Sequence, residues 1–486
     1  MTYTRFPVFK KIPAGHLTVE IVFKRLKNIS PHCFVLESAE SEKKVSGRWT
    51  FLGFDPEKTE FSSMEDIRKT LAENRSPSSA TLDADLPPFT GGLVGYFSFD
   101  FIRQIEPVLQ SAATAYSGGD DFKDIDLMLF DKLVVFDNFK NEIIIIVSVK
   151  TKPLDIAAAE IAVTEFESHG GYEKKEAQKQ IDSIIDIVRS GKTAEIEKLR
   201  ITSDFTSIFN KAQYCAMVEK AKKYIFEGDI FQVVLSNSLF AHADGSLFET
   251  YKQLCDINPS PYMFYFSSDN VELAGASPET LVKLENGILH TFPLAGTRAR
   301  GKTPAEDAAL ERELLCDEKE KAEHNMLVDL GRNDLGKICE FGSVNVDPYR
   351  YMQILRFSHV MHIGTTVSGK IRSDKTALDA IAAVLPAGTL SGAPKIRACQ
   401  IIDELEELKN NPKNKRGVYG GAVGYIDFSG NMDTAISIRL AYKKNGTVYI
   451  RSGAGIVADS IPEREWEECN NKMAAVKKAL GGQVKP

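Results

Sequence analysis

The sequence predicts an α+β fold with large antiparallel β-sheets. Three observations predict it. Short apolar runs broken by Gly, Asn and Asp dominate the first part of the chain, as strands and turns do. Later strands alternate with long helical segments but without a regular βαβ period, which argues against Rossmann and TIM repeats. No stretch of about 20–50 residues recurs, which argues against a solenoid or propeller.

The elements follow in order. Trp49-Thr-Phe-Leu-Gly-Phe and Gly91-Gly-Leu-Val-Gly-Tyr-Phe-Ser-Phe mix aromatic, aliphatic and Gly residues in the manner of strands. Asp126–Phe136 and Glu142–Val149 flank Asp137-Asn-Phe-Lys-Asn and predict a hairpin. Beyond Gly170-Gly171, Ile181, Ile184, Ile185 and Val188 recur at helical spacing in a charged segment. A soft boundary follows, giving an N-terminal β-rich region, 1–203, and a second region, 204–486. The second region begins with a helix, Lys211–Phe226, that ends at Gly228 and feeds the strand Ile230–Leu239. Further strands are predicted at Met263–Ser267, Glu272–Ala274, Val282–Leu284, Gly421–Phe428, Asp433–Tyr442 and Val448–Ser452. Long helices are predicted at Pro304–Leu330, Lys375–Leu385, Pro394–Leu408 and Pro462–Leu480.

Composition excludes several classes. The 486 residues are 43% hydrophobic and 26% charged, an ordinary globular balance. A net charge of −7 lacks the basic excess of a nucleic-acid binder. The longest purely aliphatic stretch, Ile143–Val147, is far short of the ~20 residues of a membrane helix. Met1 to Lys11 has no apolar signal core, and seven scattered cysteines form no C-x-x-C pair. Reduced thiols in a cytoplasm are expected, with neither nucleic acid nor membrane as partner.

Carboxylates supply the first chemical signal. Glu320 and Glu323 extend the core-facing stripe of Leu327 and Leu330, on a helix that Thr303 caps and Pro304 opens. Glu465, Glu468 and Lys472 border the stripe Trp466, Cys469, Met473 and Val476 on the last helix. Two such helices could share Mg²⁺, which takes carboxylates, waters and an anionic substrate; solvated glutamate pairs are the plainer reading. Gly453-Ala454-Gly455 follows a strand and could present backbone N–H groups to an anion, or simply bend the chain. Arg439 ends the alternating segment Thr434-Ala-Ile-Ser-Ile-Arg and suits a carboxylate or a structural ion pair. Pro386-Ala-Gly-Thr-Leu-Ser-Gly-Ala-Pro-Lys lacks P-loop spacing, although a glycine-rich helix start can bind a carboxylate. His324, beside Glu323, and His362, in His359-Val-Met-His, are the notable histidines, yet no H-E-x-x-H or G-x-S-x-G motif occurs.

Taken with Gly275-Ala-Ser-Pro-Glu, Pro293-Leu-Ala-Gly-Thr-Arg, Asp329-Leu-Gly-Arg-Asn-Asp-Leu, Tyr419-Gly-Gly-Ala-Val-Gly-Tyr and Gly453-Ala-Gly-Ile-Val-Ala-Asp-Ser, these segments resemble the chorismate-utilising enzymes, over about 205–480. The resemblance implies the fold of those enzymes, a large two-layered antiparallel β-sheet sandwich core with helices packed outside, and it implies a subtype. Water-adding members carry a lysine where this chain has Gln232, so ammonia is the expected nucleophile. Members that form a covalent intermediate carry a lysine where this chain has Ala295, so direct amination is expected. The implied reaction turns chorismate and ammonia into anthranilate and pyruvate, the first committed step of tryptophan biosynthesis. Synthesis of aminodeoxychorismate or aminodeoxyisochorismate is the alternative within the family. An inactive amino-acid-binding regulatory paralogue is the alternative outside catalysis.

By the same resemblance Glu279 is the general acid, His362 serves the later elimination, and Gln232 faces the nucleophile. Glu320, Glu323, Glu465 and Glu468 hold Mg²⁺. Thr389, Tyr419, Arg439, Gly453, Ala454, Gly455, Lys472, Gly296 and Thr297 bind substrate. Leu36-Glu-Ser-Ala-Glu and Asn258-Pro-Ser-Pro-Tyr-Met imply an inhibitory L-tryptophan pocket contacted by Glu37, Ser38, Arg48, Pro261, Tyr262 and Met263. Arg48 stands where many relatives have lysine. A separate glutamine amidotransferase subunit is expected to deliver ammonia, in a heterotetramer of two large and two small subunits.

Overall fold

The computed structural model describes residues 2–40, 45–77, 85–112, 122–155, 171–269, 271–356, 360–408, 411 and 414–481. His359 lies outside them. Among the described residues two large sheets dominate. The larger has 13 strands and runs Thr2–Pro13, Glu142–Asp155, Lys132–Asp137, Val45–Phe54, Cys33–Glu40, Tyr262–Ser267, Glu272–Ser277, Leu440–Lys444, Thr447–Ile456, Gln232–Asp244 and Gly392–Ala393, with two short strands also paired to Gln232–Asp244. The smaller has 8 strands, centred on Thr280–Glu285, Met432–Ile436, Ala422–Asp427 and Gly92–Phe97. Neighbouring strands pair antiparallel in both.

Strand alternation explains the layering. Phe34, Phe51 and Phe264 project from the larger sheet into a core shared with Leu93, Leu127 and Val423 of the smaller. Val35, Met263 and Leu235 point the other way, into a second core against the helices Lys211–Phe226, Phe248–Ile257 and Pro462–Lys472. Each fully buried Phe contributes roughly 1.5–3 kcal/mol of transfer free energy. The sandwich with helices outside is therefore as expected. The division at 203/204 is not a division of the sheets, because Cys33–Glu40 pairs with Tyr262–Ser267 and Gly92–Phe97 pairs with Ala422–Asp427.

Four predicted elements are cut by the fold, among them Pro462–Leu480, which is two helices, Pro462–Lys472 and Ala474–Ala479, parting at Met473. Asp126–Phe136 is two strands, Ile125–Phe130 and Lys132–Asp137, which belong to different sheets and part at Asp131. Asp433–Tyr442 is likewise Met432–Ile436 in the smaller sheet and Leu440–Lys444 in the larger. Pro304–Leu330 is two helices, Pro304–Cys316 and Glu318–Gly336. Asp317 stands between them with extended backbone, and its carboxylate accepts from the amides of Lys319 at 3.0 Å and Glu320 at 3.3 Å. An Asp competes for free amides better than it continues a helix. Thr303 and Pro304 do open the first helix as predicted. All seven cysteines are free thiols, and no helix among the described residues is long and apolar enough to cross a membrane.

Candidate active site

A cavity of about 540 Å³ opens where the two sheets exchange strands. The chain leaves the larger sheet at Ser277 and enters the smaller at Thr280; it returns between Ile436 and Leu440. The two crossings are bonded together. The Ser277 hydroxyl donates to the Ile436 carbonyl at 2.7 Å, and the Ile436 and Ala276 amides donate to the carbonyls of Glu279 and Arg439. Glu279 and Arg439 are thus neighbouring wall residues from opposite directions of the chain. Arg439 adopts φ +54°, so its backbone forms a corner between strands. Its guanidinium, predicted to project from a sheet, projects from that corner instead.

Burial pushes the Glu279 carboxyl up to about 8, although the Thr389 hydroxyl, donating at 3.1 Å, and the Lys472 charge both pull it down. At neutral pH it is mostly a protonated acid. The Arg439 guanidinium has no ion-pair or hydrogen-bond partner among the described residues. Burial lowers its pKa from the usual arginine value, against the opposing pull of Tyr419 and Glu468. It is a cation left for an anion to meet.

The two acidic helices face this cavity together, and Glu320, Glu323, Glu465 and Glu468 all line it. Glu320 accepts from Arg298 at 3.2 Å, while Glu468 pairs with Lys472 at 2.7 Å. Burial raises Glu323, and the negative charges of Glu320 and Glu468 raise it further. Burial and Glu468 raise Glu465 in the same way. Among the described residues no group of three or more His, Cys, Asp or Glu side chains is close enough to hold a metal ion. The four carboxylates therefore surround a space without closing on one centre. Their mutual repulsion is the imbalance that a divalent cation with water ligands relieves, and the donor set is the oxygen-only kind that Mg²⁺ takes.

The floor comes from the strand Thr447–Ile456, which runs on through Gly453, Ala454 and Gly455 beside Gln232–Asp244. The predicted nest of successive N–H groups is absent, because amides alternate direction along a strand. Ala454 turns its methyl into the core, and the glycines matter for space instead. A Cβ on Gly453 would stand 3.1 Å from the Tyr419 hydroxyl, and one on Gly455 would stand 2.5 Å from Gln232 Nε2. Lys472 Nζ donates to the Gly453 carbonyl at 3.0 Å. Gln232 is 4% exposed, and its Oε1 is buried without a partner among the described residues.

The remaining wall is a bulge. Gly296, at φ +66°, interrupts the pairing of Leu294–Ala299 with Val360–Gly364 and aims its carbonyl at His362 Nδ1, 2.9 Å away. A carbonyl only accepts, so Nδ1 carries the proton and Nε2 bears the basic lone pair. Burial, Arg439 and Lys472 together lower the His362 pKa, keeping the ring neutral. Thr297 Oγ1 is 3.1 Å from the same nitrogen. His324 is buried with Nε2 2.5 Å from Thr365 Oγ1 and does not reach the cavity.

Sequence reasoning missed Lys319 and Arg464, which also line the cavity. Both were within reach: Lys319 precedes Glu320, and Arg464 lies one helical turn before Glu468.

A second cavity, of about 370 Å³, lies between the sheets and is lined by all six residues expected at an effector pocket: Glu37, Ser38, Arg48, Pro261, Tyr262 and Met263. Trp49, Phe51 and Tyr425 add aromatic walls. The Glu37 carboxylate turns away, accepting from Tyr251 and from the Cys255 thiol at 3.4 Å. Arg48 pairs with Asp137 at 2.9 Å and covers the Trp49 ring. The Tyr262 hydroxyl donates to Asp433 at 2.8 Å and lies 2.8 Å from Thr280 Oγ1, next in sequence to Glu279.

Comparison with known proteins identifies the family and the fold. The family model for chorismate binding enzymes matches residues 31–478. Anthranilate synthase component 1 of Acetivibrio thermocellus is 42% identical, over 98% of this chain and 96% of its own length. Its counterpart in Aquifex aeolicus is 39% identical, over 98% and 95%. The crystal structure of anthranilate synthase component I from Streptococcus pneumoniae TIGR4 superposes with TM-score 0.70 at 33% identity, covering 90% of this chain and 93% of that one. MenF, the menaquinone-specific isochorismate synthase of Escherichia coli, shares the fold at TM-score 0.70 and 19% identity, covering 99% of this chain and 96% of that one.

Proposed function

The chain belongs to the chorismate-binding enzyme family, and from that premise we propose that it makes anthranilate and pyruvate from chorismate and ammonia, the entry to tryptophan biosynthesis. The observation that carries this reading is a single cavity holding a protonated, buried Glu279, an Arg439 unpaired among the described residues and four mutually repelling glutamates.

Chorismate is a dianion, so its carboxylates need opposite charge. Arg439 and Tyr419 grip the pyruvyl carboxylate, and Lys472 adds positive charge near the ring carboxylate. Glu323 and Glu468, with Glu320 and Glu465 close by, would hold Mg²⁺, which when bound supplies positive charge against the ring carboxylate. Ammonia enters beside Gln232, whose Oε1, unpartnered among the described residues, is an acceptor for N–H. The C2–N bond forms, the ring double bonds shift, and the C4–O bond breaks as Glu279 protonates the departing hydroxyl, which leaves as water while the new C2 ammonium loses a proton to become the amine. His362 Nε2 then takes the C2 proton, the C3–O bond breaks, the departing enolpyruvate takes up a proton on its methylene carbon to leave as pyruvate, and the ring becomes aromatic. Ala295 offers no nucleophile, which disfavours a covalent route.

Incubation with chorismate, Mg²⁺ and ammonium should produce anthranilate fluorescence; accumulation of an aminodeoxy product instead would overturn the reading. Glutamine should not support the reaction by the chain alone, because ammonia comes from a separate amidotransferase component, in a cytoplasmic heterotetramer of two large and two small subunits. His362→Met should still aminate chorismate and accumulate the aminated, non-aromatic intermediate, visible by chromatography. Equal loss of both steps would remove His362 from the elimination.

The second cavity takes L-tryptophan as feedback inhibitor. Its aromatic walls, the polar Ser38 and the half-buried Asp433 fit an aromatic amino acid. Tyr262→Phe should raise the tryptophan concentration for half-inhibition by about tenfold, the cost of a buried hydrogen-bond pair. An unchanged inhibition curve would remove that hydroxyl from the response.

A further inference from the structure

We propose that Arg416 is a positioning residue for this reaction, its guanidinium setting the span between the turn that carries Thr389 and the strand that carries Gln232. The inference rests on the reading above and adds a residue that touches no substrate. Arg416 is completely buried. Nη1 donates to the carbonyl of Leu390 at 2.6 Å, and Nη2 donates to the carbonyl of Val234 at 2.6 Å. Leu390 follows Thr389; Val234 lies two residues beyond Gln232, on the same side of its strand; all four line the catalytic cavity. One rigid fork therefore spans the wall that orients Glu279 through Thr389 and the wall where ammonia arrives.

The fork is itself held still. Glu406, also fully buried, accepts from Arg416 Nε at 3.1 Å and Nη2 at 2.5 Å, from the Ser236 amide at 2.8 Å, and from Arg451 Nη2 at 2.8 Å. The Phe99 ring lies 4.5 Å from the guanidinium carbon. A buried network of two guanidiniums and one carboxylate is a poor source of stability, since apolar packing of equal volume does as well. What it provides is fixed geometry: a planar fork specifies two carbonyl positions, which neither an apolar side chain nor a lysine can do.

The test compares ammonia-dependent kinetics of the full chain with those of Arg416→Lys, Thr389→Val and the double variant. Arg416→Lys should lower kcat about 30-fold while the KM for chorismate stays within about threefold, since misplacement by about 1 Å carries losses of that order. Because both substitutions act on the Thr389 contact, adding Thr389→Val to Arg416→Lys should cost less than about threefold more. Arg451→Lys, which touches neither carbonyl, should lower the melting temperature and keep kcat within about threefold. Unchanged kcat in Arg416→Lys, a KM that rises in step with the kcat loss, multiplicative losses in the double variant, or an inert Thr389→Val would overturn the proposal. So would failure of both Arg416→Lys and Arg416→Gln to fold by circular dichroism, which would assign Arg416 to stability alone. Absence of anthranilate from the unmodified chain would instead remove the functional reading itself.

Discussion

Glu279→Gln should reduce anthranilate formation roughly a thousandfold, within the range of a lost general acid. The substitution keeps the shape and the oxygen that accepts from Thr389, so chorismate binding should change little. The pH dependence carries the sign. Glu279 is raised from the ordinary carboxylate range to about 8, so its active, protonated form prevails below that value and disappears above it. With glutamine and the amidotransferase component as the ammonia source, the rate should fall as pH rises through about 8. Free ammonium would mask this fall, because its neutral fraction grows with pH. In Glu279→Gln the residual rate should lose that alkaline fall. An alkaline limb that survives unchanged in the variant would assign it to another group.

Glu323→Gln should act in opposite directions on activity and on stability. Removing one of the repelling carboxylates should raise the Mg²⁺ concentration needed for half-maximal rate by about 10–100-fold, as losses at metal sites do. The same change should raise the melting temperature of the metal-free chain. Glu323 is raised by burial, Glu320 and Glu468, so its ionised form costs stability at neutral pH. That cost vanishes as pH falls below the ordinary carboxylate range, where the group is protonated in both folded and unfolded states. The stabilisation should therefore shrink in acid. Thermal melts with and without Mg²⁺, at neutral and acidic pH, read both effects. An unaltered Mg²⁺ requirement would move the ion away from Glu323.

The carboxylate pairs were legible because helical periodicity is local. Glu320 with Glu323, and Glu465 with Glu468, can be placed on one helix face from spacing alone, and both faces meet the same cavity. Glu279 and Arg439 were recognisable only as members of familiar strings. Nothing within a few residues of either announces a corner between sheets, and alternation continues through Arg439 as if one strand did. Gly453-Ala-Gly shows the opposite failure. Its composition suggests a loop, yet pairing with Gln232–Asp244 keeps it extended, and its glycines leave room for Tyr419 and Gln232. The break at Asp317 was available from capping preference, but the long charged helix around it obscured the signal.

Composition, periodicity and turn chemistry by themselves determined the fold class, the helix that Thr303 and Pro304 open, the hairpin at Asp137 and the acidic faces of two helices. Each depends on contacts within a few residues along the chain. Only the tertiary structure decided which strands change sheets, which acid is buried enough to stay protonated, and which arginine is left unpaired among the described residues while another is locked to Glu406. Those properties arise from desolvation and charge contributed by segments far apart in sequence, and no local pattern encodes such a sum.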